Sequence, residues 1–236
     1  MRYWSRLRRY GRLAAVVHAA LLVRAAPAAL PPSAPAALPT PTSTPTPGKL
    51  VWAFGDSLTE GYGLPPAQGF TVQLQAALRR AAIDASVRNG GVSGDTTRQG
   101  LARLRWGLRG LPRAPDLVIV EFGANDMLRG LPPEQAERNL DAILTELGRR
   151  HLRVLLTGMR ASPNLGGDYR QRFDAMYPAL ARRHRVDFYP FFYDGVVARP
   201  GLIQADGLHP NARGVAIIVD RMLPAAKAAL ARPVKN

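Results

Sequence analysis

The 236-residue chain contains no cysteine, and this absence excludes several kinds of chemistry at once. Without a thiol there is no cysteine nucleophile, no cysteine-ligated zinc site and no cysteine for lipid attachment behind an export signal. The absence does not fix the compartment, because a domain of this size can bury a sufficient core without disulfides. Acidic residues are also absent from the first 48 positions, which hold six arginines.

Those six arginines account for much of the formal net charge of +15 and leave +9 for the rest of the chain. The remaining arginines are scattered along helical stretches, with no repeated pattern of aromatic and basic residues. We therefore predict that nucleic acid is not a partner. The arginine excess is compatible with an anionic lipid surface, so peripheral membrane contact stays open.

The N-terminal segment lacks an apolar run of full membrane-spanning length. Residues 13–23 are apolar but shorter than the ~20 residues that a spanning helix needs. Five arginines precede this run and Ala26-Pro27-Ala28 follows it, which predicts a signal peptide at 1–28; an uncleaved anchor is the alternative. Residues 29–48 are rich in Pro, Ala and Thr and predict a disordered linker. We expect a periplasmic or secreted protein whose folded domain covers 49–232.

From residue 50 onward, short apolar runs alternate with helical patterns. Strands are predicted at 50–54, 85–88, 117–122, 153–157 and 186–189, with a turn at 89–91. Helices are predicted at 69–83, 97–109, 133–150, 169–183 and 211–230. This alternation indicates an α/β fold with a parallel sheet covered on both faces. Ligands of such folds bind beyond the carboxyl ends of the strands, so functional motifs should follow strands directly.

The chain lacks the Gly-x-Ser-x-Gly nucleophile elbow at its first candidate serine, because Thr59 stands where the second glycine would be. Ser57 nevertheless follows the first strand, at a turn where backbone N–H groups are free to meet an oxyanion. The alternative is that Asp56 and Ser57 only cap a helix. We expect Asp56 to fix the turn around Ser57.

Two further segments follow the second and third predicted strands. Gly94 lies in a glycine-rich stretch where the backbone can approach a ligand closely. Asn125 lies in Gly123-Ala124-Asn125-Asp126, where its amide could donate to an oxyanion without carrying charge. Taken singly, each segment also fits an ordinary turn.

Histidine is scarce, with four residues in the chain. His18 lies in the N-terminal apolar run, and His151 and His184 end predicted helices. His209 follows Asp206 by three residues in a loop bounded by glycine and proline. That spacing allows the carboxylate to reach Nδ1 and leaves Nε2 for the serine proton, although a turn with an incidental histidine is the alternative.

Together, the four segments resemble the SGNH hydrolases, the family of GDSL-type esterases and lipases. The four residues for which that family is named match Ser57, Gly94, Asn125 and His209. The chain is further similar to a bacterial periplasmic subfamily that hydrolyses acyl-CoA thioesters, lysophospholipids and aryl esters. The segments that carry this similarity are 93–97, 100–104 and 125–130.

The resemblance implies a three-layer α/β/α sandwich of flavodoxin-like type with a five-stranded parallel sheet. It also implies acyl-enzyme catalysis by Ser57, Asp206 and His209, with an oxyanion hole formed by Ser57, Gly94 and Asn125. No metal and no cofactor is expected.

The loop after Asn125 is implied to line the acyl site, where Leu128 and Leu131 would contact the substrate chain. The expected substrate is a small-molecule or lipid ester, and we expect a monomer. Two alternatives stay open. One is a carbohydrate O-deacetylase of the same fold, and the other is a non-catalytic domain that binds a lipid surface.

Overall fold

The computed structural model describes residues 48–232. The predicted signal peptide at 1–28 and almost all of the predicted linker at 29–48 lie outside the described residues. The five strands are β1 (Lys49–Gly55), β2 (Ala85–Gly91), β3 (Leu117–Glu121), β4 (Val154–Thr157) and β5 (Asp187–Tyr189). The seven α-helices within 48–232 are α1 (Ser57–Glu60), α2 (Phe70–Arg80), α3 (Thr97–Arg109), α4 (Ala124–Leu128), α5 (Pro133–Arg149), α6 (Gly167–His184) and α7 (Ala212–Ala231).

All strand pairs are parallel, and the order across the sheet is β2-β1-β3-β4-β5. Helix α2 packs with α7, while α5 packs with both α3 and α6, which gives one helical layer on each face. The predicted three-layer α/β/α sandwich of flavodoxin-like type is confirmed. The chain adds β2 on one side of β1 and then β3, β4 and β5 on the other, so the strand order reverses between β1 and β3. The carboxyl ends of these two strands therefore border the crevice where such folds bind ligands.

The core lies on both sides of the central strands. Val51, Phe54, Ile119 and Leu155 are completely buried, as expected for strands sandwiched between helices. Each such side chain contributes about 1.5–3 kcal/mol of transfer free energy when it leaves water. The predicted strands and long helices agree with the observed ones to within a few residues at their ends.

The turn predicted at residues 89–91 is wrong, because these residues continue β2 and pair with Ala53–Gly55 of β1. Parallel pairing satisfies their backbone groups despite the turn-like Asn-Gly sequence. The glycines are needed for close approach, since a Cβ at Gly90 would lie 2.2 Å from Trp52 Nε1. A Cβ at Gly91 would lie 2.2 Å from the backbone nitrogen of Glu60.

Helices α1 and α4 were not predicted, because four or five residues are too few to show helical periodicity. They begin just beyond β1 and β3 and carry Ser57 and Asn125, respectively. The switch point of the sheet therefore holds two of the predicted site residues. None of the helices in the described part of the chain is long and apolar enough to cross a membrane.

Candidate active site

The structure brings Ser57, His209 and Asp206 together in one hydrogen-bonded line. His209 Nε2 lies 2.9 Å from Ser57 Oγ, and His209 Nδ1 lies 2.6 Å from Asp206 Oδ2. Ser57 begins α1 and is only 8% exposed. Asp56 caps this helix, because its Oδ1 accepts a hydrogen bond from Leu58 N at 3.0 Å. The expectation that Asp56 fixes the Ser57 turn is confirmed.

The side chain of Asp206 holds the loop that carries Asp206 and His209 by accepting hydrogen bonds from its backbone. Asp206 Oδ1 accepts hydrogen bonds from the backbone of His209 at 3.0 Å and Leu208 at 2.9 Å. The hydrogen bond from His209 N has the strongest influence on this carboxylate, and together the bonds lower the pKa of Asp206 to about 2. Asp206 is therefore a carboxylate at neutral pH. Tyr62 packs against the imidazole, with its ring centroid 4.7 Å from that of His209.

Three groups near Ser57 could bind a developing oxyanion. Within residues 48–232, the backbone N–H groups of Ser57 and Gly94 donate to no acceptor. Gly94 has a φ of +81°, a left-handed conformation that favours glycine. The amide of Asn125 is engaged in this state, since Nδ2 lies 3.1 Å from both Asp56 Oδ2 and the backbone oxygen of Asp95.

A pair of buried carboxyl groups lies beneath this site. Asp56 is 0% exposed and Glu121, the last residue of β3, is 1% exposed. Burial raises the pKa of Asp56 to about 6. Burial, reinforced by the charge of Asp56, raises the pKa of Glu121 well above its usual range. Thr59 Oγ1 donates to Glu121 Oε2 at 2.9 Å.

Two arginines bind the backbone around these candidate oxyanion donors. Arg103 donates to the backbone oxygens of Gly55 at 2.8 Å and Gly90 at 2.9 Å, and it forms an ion pair with Asp95. Its guanidinium carbon lies 4.6 Å from the centre of the Phe54 ring. Arg129 donates to the backbone oxygen of Gly94 at 2.7 Å. These contacts join β1, β2 and the Gly94 loop.

A cleft of about 650 Å³ opens from Ser57 and His209. Its wall is largely apolar and includes Met127, Leu128, Met159, Ala161, Phe191, Tyr193, Val197 and Ile203. Of the two leucines predicted to meet the acyl chain, Leu128 lines the cleft and Leu131 does not. The backbone oxygen of Leu131 instead accepts a hydrogen bond from the Tyr169 hydroxyl at 2.9 Å. The described residues contain no cluster of three His, Asp or Glu side chains that could hold a metal ion.

Sequence reasoning assigned no role to Glu121, Arg103 or Tyr62. Glu121 did carry a signal, because it is an acid inside an otherwise apolar strand, and such a residue must find a partner when it is buried. Arg103 lay within one of the segments that resemble the family, but nothing in its spacing revealed its carbonyl partners. Tyr62 gave no signal in the sequence.

Comparison with known proteins gives this arrangement a family. The profile of the GDSL-like Lipase/Acylhydrolase family matches residues 53–217. The chain belongs to that family. The family membership expected from the sequence is therefore confirmed, and the protein is a carboxylic ester hydrolase of the SGNH type.

Individual relatives agree with this assignment. The chain is 40% identical over 157 residues to an arylesterase of Vibrio mimicus, a match covering 66% of this chain and 78% of the relative. It is 38% identical over 168 residues to thioesterase 1/protease 1/lysophospholipase L1 of Escherichia coli, covering 71% and 78%. The crystal structure of AlinE4, an SGNH-hydrolase family esterase, has 48% identity and a TM-score of 0.67, covering 78% of this chain and 98% of that one.

Proposed function

We propose that Ser57 is the nucleophile, His209 the general base and Asp206 the residue that orients His209. The contact that carries this proposal is His209 Nε2 to Ser57 Oγ at 2.9 Å, made between residues 152 positions apart. Ser57 Oγ attacks the acyl carbonyl carbon while its proton moves to Nε2. The imidazolium then protonates the leaving alcohol or thiol, and an acyl-enzyme forms. Water attacks that ester with His209 again as base, which releases the acid and restores Ser57.

The oxyanion of each tetrahedral intermediate is stabilised by the N–H groups of Ser57 and Gly94 and by the amide of Asn125. The two backbone donors have no acceptor among the described residues, which supports this role. Asn125 keeps its hydrogen bond to Asp56 and exchanges the Asp95 carbonyl for the oxyanion. The two backbone donors are already fixed and, within the described part of the chain, free, so they need no reorganisation when the charge develops.

The substrate is an ester or thioester with an apolar acyl group, which the cleft wall of Leu128, Met159, Phe191 and Val197 accommodates. The names of the relatives, arylesterase and thioesterase/lysophospholipase, support aryl esters, acyl thioesters and lysophospholipids as the classes to test first. Export to the periplasm or beyond belongs to the same proposal and rests on the signal peptide expected at 1–28.

The substrate class is tested with p-nitrophenyl esters from acetate to palmitate, an acyl-CoA and a lysophospholipid, each assayed with the full chain. We expect kcat/KM to rise with chain length until the acyl group fills the cleft, because each buried methylene adds about 0.8 kcal/mol of transfer free energy. Turnover of acetylated glycans without turnover of longer acyl esters would instead identify a carbohydrate O-deacetylase.

The rim of the cleft supports a second proposal, peripheral contact with an anionic lipid surface. Four large apolar side chains that line the cleft are about half exposed: Tyr62, Leu128, Val197 and Leu208. Arg160 and Arg170 also line it, are exposed, and form no ion pair within residues 48–232. Apolar side chains beside unpaired arginines match the chemistry of an anionic bilayer surface.

Lipid contact is tested by sedimentation with two kinds of vesicle, anionic ones that contain phosphatidylglycerol and zwitterionic ones of phosphatidylcholine alone. We expect binding to the anionic vesicles that weakens with salt, because exposed charges are screened. Val197→Asp should reduce the affinity for the anionic vesicles by about tenfold, which corresponds to the loss of one apolar side chain from the interface. Val72→Asp is the matched control, since Val72 is 44% exposed on α2 and does not line the cleft. Equal losses in both variants, or no binding by the wild type, would contradict the proposal.

A further inference from the structure

The buried carboxyl groups of Asp56 and Glu121 meet at the carboxyl ends of β1 and β3. Glu121 Oε2 lies 3.4 Å from the backbone nitrogen of Asp56 and accepts from Thr59 Oγ1. Gly55 makes this approach possible, because a Cβ there would lie 2.6 Å from Glu121 Oε2 and 2.1 Å from Thr59 Oγ1. Because Gly55 of the neighbouring strand β1 has no side chain, the carboxyl group of Glu121 has room at this position.

The surroundings of the pair do not neutralise two negative charges. Within residues 48–232, no lysine or arginine forms an ion pair with either carboxylate. Arg103 on α3 is engaged by Asp95 and by backbone oxygens. The titratable groups facing the pair from other elements are His209, Tyr177 on α6 and Tyr193 beyond β5.

Two adjacent carboxylates in such a place cannot both ionise, so they share a proton. Burial raises the pKa of both groups, to about 6 for Asp56 and well above the usual range for Glu121, where the charge of Asp56 adds to the rise. The shared proton therefore lies on Glu121. Asp56 has good acceptor bonds as an anion, from Leu58 N at 3.0 Å and Asn125 Nδ2 at 3.1 Å. No group within residues 48–232 donates a hydrogen bond to Glu121 Oε1, so a carboxylate charge on this oxygen would be uncompensated, whereas a protonated Oε1 can donate to the Asp56 carboxylate.

We propose that Glu121 is a positioning residue of the oxyanion site: as a neutral acid, it holds Asp56 so that Asp56 Oδ2 fixes the amide of Asn125. The inference rests on the role of Asn125 in the proposed function. It adds that Glu121 supports catalysis through Asp56 without touching the substrate. Neutrality also matters electrostatically, because a second negative charge beneath the site would oppose the oxyanion.

The test compares wild type with Glu121→Ala, Asn125→Ala, the double variant and Glu121→Gln, using one p-nitrophenyl ester. Asn125→Ala should lower kcat by about 10²–10³-fold, as loss of one oxyanion donor does. Glu121→Ala should lower kcat by about 10–100-fold with little change in KM, the size typical of a group that orients another.

The double variant should fall no further than Asn125→Ala alone, because both changes act through one amide. Glu121→Gln should recover most of the lost kcat, since its amide can donate to Asp56 and its oxygen can accept from Thr59. Val120→Ala, which truncates a fully buried neighbour on β3, controls for general destabilisation and should keep its kcat.

The outcomes separate the two proposals. An unchanged kcat in Asn125→Ala would overturn the role of Asn125 and this inference with it. A normal Asn125 effect with an active Glu121→Ala would overturn this inference alone. Multiplying effects in the double variant, or a Glu121→Gln variant as slow as Glu121→Ala, would also overturn it.

A second measurement does not depend on whether Glu121→Ala folds. Infrared difference spectra of wild type against Glu121→Gln at neutral pH should contain the C=O stretch of a protonated carboxylic acid in the wild type only. A difference spectrum with only carboxylate bands would overturn the neutral state of Glu121.

Discussion

Ser57→Ala is expected to reduce kcat by about 10⁴–10⁶-fold, the loss seen when a serine hydrolase loses its nucleophile. Alanine removes the oxygen that is proposed to form the acyl-enzyme and leaves the proposed oxyanion donors and the cleft in place. KM should therefore change little. The expected residual rate reflects water attacking a bound, polarised ester.

The measurement is turnover of the p-nitrophenyl ester series, with labelling by a fluorophosphonate as an independent readout of an activated serine. Ser86→Ala is the matched control, because Ser86 lies on β2 at the other end of the paired segment and outside the cleft. His209→Ala combined with Ser57→Ala should cost little beyond Ser57→Ala alone, since the two act as a unit. Wild-type rates in Ser57→Ala would mean that a different residue is the nucleophile.

Asp206→Asn is expected to reduce kcat by about 10⁴-fold, as the equivalent change does in other Ser-His-Asp enzymes. An asparagine can accept from or donate to Nδ1, and donation would turn the proton-bearing nitrogen of His209 toward Ser57. The imidazolium would also lose its carboxylate partner. Asp168→Asn serves as control, since that side chain is exposed on α6 and its one ion pair within residues 48–232 is with Arg172.

The same variant has a predicted pH signature in stability. The pKa of Asp206 is lowered from 3.8 to about 2 in the folded state, so its charged form favours folding. That contribution is complete above pH 3.8 and is lost as the pH falls toward 2. Urea unfolding should therefore separate wild type from Asp206→Asn at neutral pH, and the gap should narrow below pH 3.8. A gap that stays constant down to the lowest pH would contradict the lowered pKa.

The sequence predicted those strands and helices whose apolar residues form a long, regular pattern. Strand β3 is apolar at four of its five positions because helices cover both faces, and α5 shows an uninterrupted helical period. It failed at Asn89–Gly91, where local turn chemistry yielded to pairing with β1. Helices α1 and α4 were missed because a single helical turn has no measurable period.

In the candidate site, too, some residues could be predicted from the sequence and others depend on tertiary contacts. The residues of the proposed site lie in short segments whose residue types suit the proposed chemistry, so they can be found from the sequence: Ser57, Gly94, Asn125, Asp206 and His209. The difference between Leu128 and Leu131 depends on how Tyr169 holds the loop, which is a tertiary contact. Glu121 and Arg103 work through strand ends and backbone oxygens that only the folded chain brings near.

The bond between His209 and Ser57 joins the first turn of the domain to the loop before its last helix. Two further hydrogen bonds join residues that lie similarly far apart in the sequence, from Gln204 Nε2 to Tyr62 O at 2.8 Å and from Gln73 Nε2 to Ala212 O at 3.1 Å. Contacts between such distant residues carry a large loop-closure cost, because the long intervening chain must be brought back on itself. During synthesis from the N-terminus, the proposed nucleophile Ser57 is thus made early, and on this proposal hydrolytic activity begins only when the segment that carries His209 docks. Recovery of esterase activity in a refolding experiment would consequently report on completion of the whole domain.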